Sequence, residues 1–276
     1  MKKILVPTDF SPIANKALEV AVQLARPTGA TIEVLNVNVF PVGAVGSYYS
    51  VPGATLGSID DTWQEIMEDA KKSILEAAAQ YQDVKIKPVV EETTEHFIQA
   101  ILDHKADLIV MGSNGASGFK ELLEGSNSEE IVRLASCPVL VVKDENATFT
   151  PKKVVFAVDL SKHEQFIKKA IAILPLQNAM CHFLFVDTDT QIVNYPETKA
   201  RMKKLAEKYH LNETIFDITE SVSVLDGILN YIEDVNADLV VMYTHGRTGI
   251  SHFFRGSIAE DVVNHAKIPV FTYVEN

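Results

Sequence analysis

The sequence predicts an α/β fold that is built twice, as two tandem doubly wound domains with parallel sheets. Short, wholly apolar runs alternate with longer segments that carry apolar residues three and four positions apart. Apolar strands that alternate with amphipathic helices indicate a parallel sheet covered by helices on both faces. Blocks of sequence also recur in the same order in the second half of the chain, which indicates a duplicated domain.

The repeated blocks begin near the N-terminus. The segment KKILVPTDFS at 2–11 recurs as KKVVFAVDLS at 152–161, and ADLIVM at 106–111 recurs as ADLVVM at 237–242. The later matches are Gly115 with Gly246, Gly125-Ser126 with Gly256-Ser257, and Pro138-Val139 with Pro269-Val270. The predicted domains are therefore residues 1–146 and 150–276, with the boundary in a polar segment that ends at Pro151.

Each half is predicted to alternate strands with helices. In the first half, the apolar run 4–7 predicts a strand, and Ser11 or Pro12 begins a helix that ends before Pro27. The next helix is predicted at 60–81 with Ile66 on its buried side, the third at 95–104, and the fourth after Ser126. The remaining strands of this half are predicted at 31–39, 84–90, 107–111 and 138–143.

The second half is predicted to repeat this order, with strands near 153–158, 181–186, 214–218, 238–243 and 269–274. The offset between matching positions falls from 150 to 131, so the first half holds nineteen extra residues. The Gly-, Ser- and Tyr-rich stretch 42–58 lies in that interval. It is predicted to be a flexible loop or lid that the second half lacks.

Composition limits the classes of function. The net charge is −12, divided as −9 in residues 1–149 and −3 in residues 150–276. Such an acidic surface speaks against nucleic acid and anionic lipid as the main partners. The two cysteines exclude a disulfide framework and a cysteine-based zinc site, and they are predicted to be unreactive thiols. No apolar run reaches the ~20 residues of a membrane span, and the N-terminus does not resemble a secretion signal, so a cytoplasmic protein is expected.

A glycine-rich segment follows the apolar run 108–111. Gly112 and Gly115 are separated by two residues, and Gly125-Ser126 follows after nine more, just before a predicted helix. Glycines let another group approach the backbone, and a helix N-terminus supplies free N–H groups and partial positive charge. The segment therefore suits a phosphate, with Ser126 or Asn127 as a helix cap, unless the glycines only shape a surface loop.

Asp9 is the second candidate site residue, because it follows the first strand. Ligands of doubly wound sheets bind beyond the carboxyl ends of the strands, where the winding reverses. A carboxylate there can accept hydrogen bonds from a base amino group or a sugar hydroxyl, while the glycine segment takes phosphates. The alternative is that Asp9 only forms the turn before the first helix.

On these residues the chain resembles a tandem member of the universal stress protein family. The ATP-binding members carry Gly-x2-Gly-x9-Gly-Ser/Thr, which Gly112, Gly115, Gly125 and Ser126 match at every fixed position. The resemblance implies strand order 3-2-1-4-5, and it implies that Asp9 and the backbone of Val37 face the adenine and ribose. The implied nucleotide-binding residues are Pro7, Thr8, Asp9, Val37, Met111, Gly112, Gly115, Gly125, Ser126, Asn127 and Ser128.

The second half departs from this motif. Tyr243 stands where the first half has Gly112, although Gly246, Gly256 and Ser257 remain. A tyrosine ring there is expected to fill or narrow the site, so nucleotide is expected mainly in the first half. The resemblance also implies pairing through the last strand, so residues 139–142 and 270–274 are predicted to pair within one chain as a pseudo-dimer. A further homodimer is left open.

The resemblance implies ATP as the ligand. AMP or ADP stays open, because Glu121 and Glu124 lie in the glycine segment and repel phosphates unless Mg²⁺ intervenes. The sequence has no Gly-x4-Gly-Lys-Ser/Thr loop, no Gly-x-Ser-x-Gly element and no His-Glu-x2-His pair. The resemblance thus favours a regulatory, adenine-nucleotide-binding stress-response protein without efficient catalysis and with no metal site of its own. The alternatives are a slow ATPase or nucleotidyl transferase, and an interaction scaffold that needs no ligand.

Overall fold

The computed structural model describes residues 1–40, 56–94, 97–113, 127–145, 148–160, 165–189, 192–211, 213–245 and 258–275. In the first half of the chain it has β1 (Lys3–Pro7), α1 (Pro12–Ala25), β2 (Thr31–Val39), α2 (Leu56–Ala78), β3 (Ile86–Thr93), α3 (Phe97–Asp103), β4 (Leu108–Gly112), α4 (Asn127–Leu134) and β5 (Val139–Val142). In the second half it has β6 (Lys153–Ala157), α5 (Gln165–Ile173), β7 (Met180–Asp187), α6 (Tyr195–Lys208), β8 (Thr214–Glu220), α7 (Val224–Asp234), β9 (Leu239–His245), α8 (Ile258–His265) and β10 (Val270–Glu275).

The strands form one ten-stranded sheet in the order β3-β2-β1-β4-β5-β10-β9-β6-β7-β8. Each half therefore has the order 3-2-1-4-5 with parallel pairs, as the resemblance implied. The halves meet at β5 and β10, which pair antiparallel with Leu140 opposite Phe271. This confirms the predicted pairing of the last strands. It closes two edges that separate halves would leave open.

Both faces of the sheet are covered by helices. Helices α1, α2, α5 and α6 pack on one face, where Val6, Ile74, Phe156 and Met202 belong to a single apolar cluster that spans the two halves. Helices α3, α4, α7 and α8 cover the other face, with Ile101 and Val262 in its core. Successive strand residues point to opposite faces, so strands buried on both sides must be apolar throughout. This explains the continuous apolar runs in the sequence.

Helix α2 differs from its prediction. It begins at Leu56 rather than residue 60, so the last three residues of the predicted 42–58 loop are helical, while residues 41–55 lie outside the described residues. Ile66 was predicted to point inward, and this is wrong because 41% of it is exposed. The side of α2 that faces the sheet passes through Ala70 and Ile74, and Met67 one turn earlier, whereas Ile66 lies beside that stripe.

The strand ends were predicted less well than the strands themselves. β3 runs from Ile86 to Thr93 instead of 84–90, and β7, β8 and β9 each extend beyond their predicted ends. The reason is pairing: β3 matches β2 residue by residue from Ile32–Ile86 to Val39–Thr93, so it ends where its neighbour ends. A local hydrophobic pattern carries no information about pairing with a strand that is about fifty residues away in the sequence, so it cannot predict where β3 ends.

Both cysteines lie where access to solvent is limited. Cys181 is buried and Cys137 half-buried, and burial raises the pKa of both thiols to about 11. Both are therefore protonated near neutral pH, which agrees with the prediction of unreactive thiols.

Among the described residues, no helix is long and apolar enough to cross a membrane. The cytoplasmic location stays a prediction.

A buried carboxylate joins three elements at the amino ends of the first-half strands. Glu33 on β2 is only 8% exposed, and its two oxygens accept from Lys3 and Lys87 Nζ, each at 2.9 Å. His104, just after α3, lies 3.4 Å from the same carboxylate. Burial raises the pKa of Glu33, but the hydrogen bonds from Lys87 and Lys3 outweigh it and lower the pKa to about 2.

Replacing Glu33 with glutamine is expected to lower the free energy of unfolding at pH 7 by roughly 2 kcal/mol. The pKa shift alone corresponds to about 3 kcal/mol, but Lys87 is largely exposed and water screens it. Because the folded pKa is depressed, this stability is present above about pH 4.5 and is lost as pH falls toward 2. Urea unfolding of both proteins across this range should show their difference vanish in acid. Glu76→Gln, in an exposed pair 3.9 Å from Lys72, should change stability by less than about 0.5 kcal/mol.

Candidate functional site

The predicted site residues lie where the winding of the first-half sheet reverses. β1 lies between β2 and β4, and the helix after β1 covers one face while the helix after β4 covers the other. The carboxyl ends of these strands carry Pro7 on β1 and Met111 and Gly112 on β4. Thr8 and Asp9 follow β1 directly. The structure therefore brings these residues to one edge, at the position where such sheets bind ligands.

Asp9 carries one satisfied and one unsatisfied carboxylate oxygen. Its Oδ1 accepts from the backbone N–H of Ser11 at 3.1 Å and from Ser11 Oγ at 2.6 Å. Its Oδ2 is buried and has no hydrogen-bond partner among the described residues. Asp9 thus forms the turn before α1 with one oxygen, as the alternative reading proposed, and still offers the other as an acceptor. A buried unpaired acceptor is rare in folded proteins.

The turn that positions Asp9 has an unusual backbone. Phe10 has a φ of 63°, in the left-handed region that non-glycine residues seldom adopt. Its N–H donates to Thr8 Oγ1 at 3.0 Å, and Asn36 Nδ2 holds the Thr8 carbonyl at 2.9 Å. Ser11 then caps α1 by accepting from the Ala14 N–H. Sequence reasoning missed Phe10 and Asn36. The only available signal was the spacing of Thr8 to Phe10 and Asp9 to Ser11, which suits side-chain turns.

Val37 is buried on β2, and its backbone faces the space beyond the end of β1. β1 and β2 pair as far as Pro7 and Leu35, and the Thr8 N–H closes the ladder on the Leu35 carbonyl at 2.8 Å. Every second residue of β2 bonds to β1, and Leu35 is the last one that does. Val37 is the next residue in that series, and it lies beyond the end of β1. Its backbone groups therefore point to the space beside Asp9 rather than to a strand.

Gly112 has a packing role of its own. A Cβ at this position would lie 2.8 Å from Ile13 Cγ2 and 3.2 Å from the Ile13 backbone carbon. The end of β4 thus approaches the first turn of α1 so closely that a side chain does not fit without movement. Ser113 continues the ladder by donating its N–H to the Val142 carbonyl at 3.0 Å. A side chain at Gly112 would therefore require Ile13 and the start of α1 to move, and contact with a phosphate or ribose stays a prediction.

The phosphate part of the predicted site is only partly described. Gly115, Gly125 and Ser126 lie outside the described residues, and Asn127 begins α4. Ser128 is 3% exposed, and its hydroxyl donates to the Ser113 carbonyl at 3.2 Å. It therefore ties the start of α4 to the end of β4, so its direct contact with nucleotide stays a prediction. The first turn of α4 also carries two acidic residues, Glu129 and Glu130.

The corresponding edge of the second half is occupied by tyrosines. The Tyr243 hydroxyl donates to Asp159 Oδ2 at 2.8 Å, and its ring lies 5.8 Å from that of Phe166. Asp159 is the counterpart of Asp9, so the equivalent carboxylate already has a partner within the chain. Tyr195 likewise donates toward Asp187 at 3.1 Å and Glu220 at 2.8 Å, beyond β7 and β8. Sequence reasoning named Tyr243 and missed Tyr195.

The two edges therefore differ in chemistry. At the first-half edge no described residue donates to Asp9 Oδ2, whereas the second-half edge has carboxylates bound by phenolic hydroxyls. Within the described ranges, no group of three or more His, Cys, Asp or Glu side chains is placed to hold a metal ion. Among the described residues, the arrangement leaves Asp9 Oδ2 able to accept a hydrogen bond, and Ser128 ties the start of α4 to the end of β4.

Comparisons with known proteins cover the whole chain. The model of the universal stress protein family matches residues 1–143 and again 151–273. Universal stress protein Slr1230 of Synechocystis is 28% identical over 299 aligned residues, which cover 99% of this chain and 100% of that protein. Universal stress protein YxiE of Bacillus subtilis is 31% identical over 51% of this chain and 98% of its own length.

A solved structure agrees with these matches at the level of the fold. A universal stress protein from Archaeoglobus fulgidus has a TM-score of 0.70 at 22% identity, covering 99% of this chain and 98% of its own. Together with the two family matches in tandem, this shows that the chain belongs to the universal stress protein family.

Proposed function

We propose that this chain is a regulatory protein that binds an adenine nucleotide, either ATP, ADP or AMP, in its first half, residues 1–146. The second half, residues 150–276, is proposed to contribute to the shared sheet rather than to bind nucleotide. The proposal joins the glycine motif of the sequence to the geometry beside Asp9. A stress-response role follows from membership of the family and is part of the proposal.

The observation that carries the proposal is Asp9 Oδ2, a buried oxygen to which no residue in the described part of the chain donates. Burying a carboxylate oxygen without a donor is unfavourable, and an adenine amino group or ribose hydroxyl would supply that donor. The backbone of Val37, which faces the same crevice, could hydrogen-bond a neighbouring base or sugar atom.

The phosphates are proposed to lie at the glycine segment and the N-terminus of α4. Gly115, Gly125, Ser126 and Asn127 would supply backbone N–H groups and a hydroxyl there. Glu129 and Glu130 in the first turn of α4, with Glu121 and Glu124 in the glycine segment, oppose an uncompensated triphosphate. Mg²⁺ is therefore included in the proposal for ATP, whereas AMP would bind without it.

A role in binding rather than turnover is proposed from the residues at the site. Asp9 is held by Ser11 on one oxygen, and the sequence lacks the loop and nucleophile motifs of common nucleotide hydrolases. A protein of this kind reports the adenylate state through its occupancy. When the purified protein is incubated with ATP, ADP should form no faster than in a control that contains ATP in buffer alone.

Replacing Asp9 with asparagine is expected to weaken adenine nucleotide binding by roughly 10- to 100-fold, the loss typical of a charge-assisted hydrogen bond. Asparagine keeps one oxygen for Ser11 but puts an NH₂ group where the free oxygen would accept. Calorimetric titration with ATP and Mg²⁺, and with AMP, measures the change. The matched variant Asp159→Asn alters the paired carboxylate of the second half and should leave affinity unchanged. Equal losses in both variants, or none in either, would contradict the proposal.

A further inference from the structure

The two ends of the sheet carry equivalent helices on the same face. Helix α2 packs over β3, the last strand at one end, and α6 packs over β8, the last strand at the other. Both helices contribute to the apolar cluster on one face, through Ile74 and Met202. α2 and α6 therefore close the two ends of one helix layer, and each has a flank that no other described helix covers.

Helix α6 is strongly basic in an otherwise acidic chain. Over residues 195–208 it has five basic side chains against two acidic ones, a net charge of +3, while the whole chain carries −12. The basic residues are all exposed: Lys199, Arg201, Lys203, Lys204 and Lys208. Such a concentration of one sign makes a local positive field that attracts an acidic surface.

Helix α2 has the opposite charge. Over residues 61–78 it has five acidic side chains against two basic ones, a net charge of −3. These acidic residues are exposed as well: Asp61, Glu65, Glu68, Asp69 and Glu76. The chain thus ends in an acidic helix on one side and a basic helix on the other, and the two surfaces are complementary in charge.

Strand direction makes these two surfaces meet when copies lie end to end. β3 and β8 run in opposite directions, because each half is parallel within itself and the halves join antiparallel. A second copy placed beyond β8 would present its β3 antiparallel to that strand and its α2 beside α6. The helices would then lie in one continuous layer, acidic against basic.

Like-to-like contacts are disfavoured by the same charges. Pairing β8 of two copies would place two basic α6 helices side by side, and pairing β3 would place two acidic α2 helices together. Pro88 also blocks the β3 edge. The Ile32 N–H donates to the Lys85 carbonyl, so Lys85 and every second residue after it bond to β2. Pro88 is not one of these residues. Its backbone nitrogen therefore faces the open edge of β3, where it has no N–H to donate to another strand. The helices rather than a full strand ladder would hold the contact.

We infer that the basic α6 end of one copy docks on the acidic α2 end of a second copy of this chain, head to tail. The contact is heterologous, so it can repeat and gives chains of increasing length rather than a dimer that stops at two. The inference does not depend on nucleotide binding. Because exposed charges carry it, the association weakens as salt shortens the screening length.

Charge reversal tests this directly. Lys203→Glu/Lys204→Glu makes both ends acidic, and Asp61→Lys/Glu65→Lys/Glu68→Lys makes both ends basic, because it changes the net charge of α2 over its full length, 56–78, from −4 to +2. Sedimentation velocity of the full chain should show concentration-dependent association at about 0.1 M salt that falls by roughly tenfold or more at about 1 M. Each reversed variant alone should lose association by a similar factor. An equimolar mixture of the two should regain it, because an acidic α6 then meets a basic α2.

A control separates position from net charge. Lys152→Glu/Lys267→Glu alters net charge as much as the α6 variant does, but these exposed lysines lie near the junction of the halves, away from both ends. It should associate like the unmodified chain. The inference is overturned if the unmodified chain is monomeric at every concentration, if assembly stops at a dimer, or if the mixture stays as dissociated as its parts. Circular dichroism of each variant checks that it is folded.

Discussion

Replacing Tyr243 with glycine is expected to give the chain a second nucleotide site, raising the stoichiometry measured by calorimetric titration from about one to about two. The single change regenerates the complete motif in the second half, because Gly246, Gly256 and Ser257 already stand at the required spacing. It also removes the hydrogen bond that Asp159 Oδ2 accepts from the Tyr243 hydroxyl at 2.8 Å.

The matched variant is Tyr243→Phe. It removes the hydroxyl and its hydrogen bond to Asp159, but it leaves the ring in place near Phe166. If the ring blocks the crevice, this variant keeps a stoichiometry of about one. A second site in the phenylalanine variant would show instead that the hydrogen bond to Asp159 is the block. No second site in the glycine variant, when it is folded, would contradict the idea that Tyr243 alone disables this half.

The glycine variant has a stability cost that must be measured beside binding. Removing a half-buried ring leaves space next to Phe166, and glycine in a strand is itself unfavourable, so roughly 2–4 kcal/mol of destabilisation is expected. Nucleotide should recover part of this through binding. Thermal melts of the variant should therefore shift upward with added AMP or ATP by more than those of the unmodified chain.

The architecture could be predicted from the sequence because each local signal agreed with the global one. Ser11-Pro12 marks the start of α1, the apolar runs mark strands buried on both faces, and the repeated blocks imply a repeated fold. Register and ends could not be predicted, since β3 ends where β2 ends and only pairing decides this. Ile66 failed for a related reason. A helix pattern with apolar residues on neighbouring positions does not say which of them meets the sheet.

Duplication predicted the backbone but not the polar contacts within it. Glu33 and His182 occupy the same position on β2 and β7, as the registers with β1 and β6 show. Glu33 is neutralised by two lysines, whereas His182 Nδ1 lies 2.9 Å from the Tyr231 hydroxyl, which in turn donates to Asp217. Each half thus gives this buried polar residue different partners from elements remote in sequence, and His182 Nε2 has no hydrogen-bond partner among the described residues.

The candidate site, too, could be predicted only in part from the sequence. Asp9 could be proposed from its place after the first strand, Gly112 from the glycine motif, and Val37 from the family resemblance, and the structure brings them to one edge of the sheet. The left-handed Phe10 and the contact from Asn36 to Thr8 could not be proposed, because neither residue type signals its role. For Gly112 the structure supplies a second explanation, its approach to Ile13, so substitution there would mix folding with binding. Asp9 is the cleaner position for a test.

The junction of the halves should govern the stability of the whole chain. The halves share an apolar cluster, β5 pairs with β10, and Lys143 after β5 donates to the Val263 carbonyl of α8. Helices α4 and α8 also meet: Asn264 donates to Glu129, and Arg133 lies 3.9 Å from Glu260. Because these contacts cross between the halves, we expect the two to unfold together in a single transition.

Replacing Phe271 with aspartate is expected to lower the free energy of unfolding by at least about 4 kcal/mol, since it puts an unpaired carboxylate at a fully buried position opposite Leu140. Phe271→Leu should cost only about 1–2 kcal/mol and remains measurable if the aspartate variant does not fold. The single tryptophan, Trp63, reports on the first half, although the substitution is in the second. In urea, the Trp63 fluorescence transition should move down together with the far-ultraviolet circular dichroism of the whole chain. A fluorescence transition that stays in place while the circular dichroism curve splits in two would mean that the halves unfold independently, despite their common sheet.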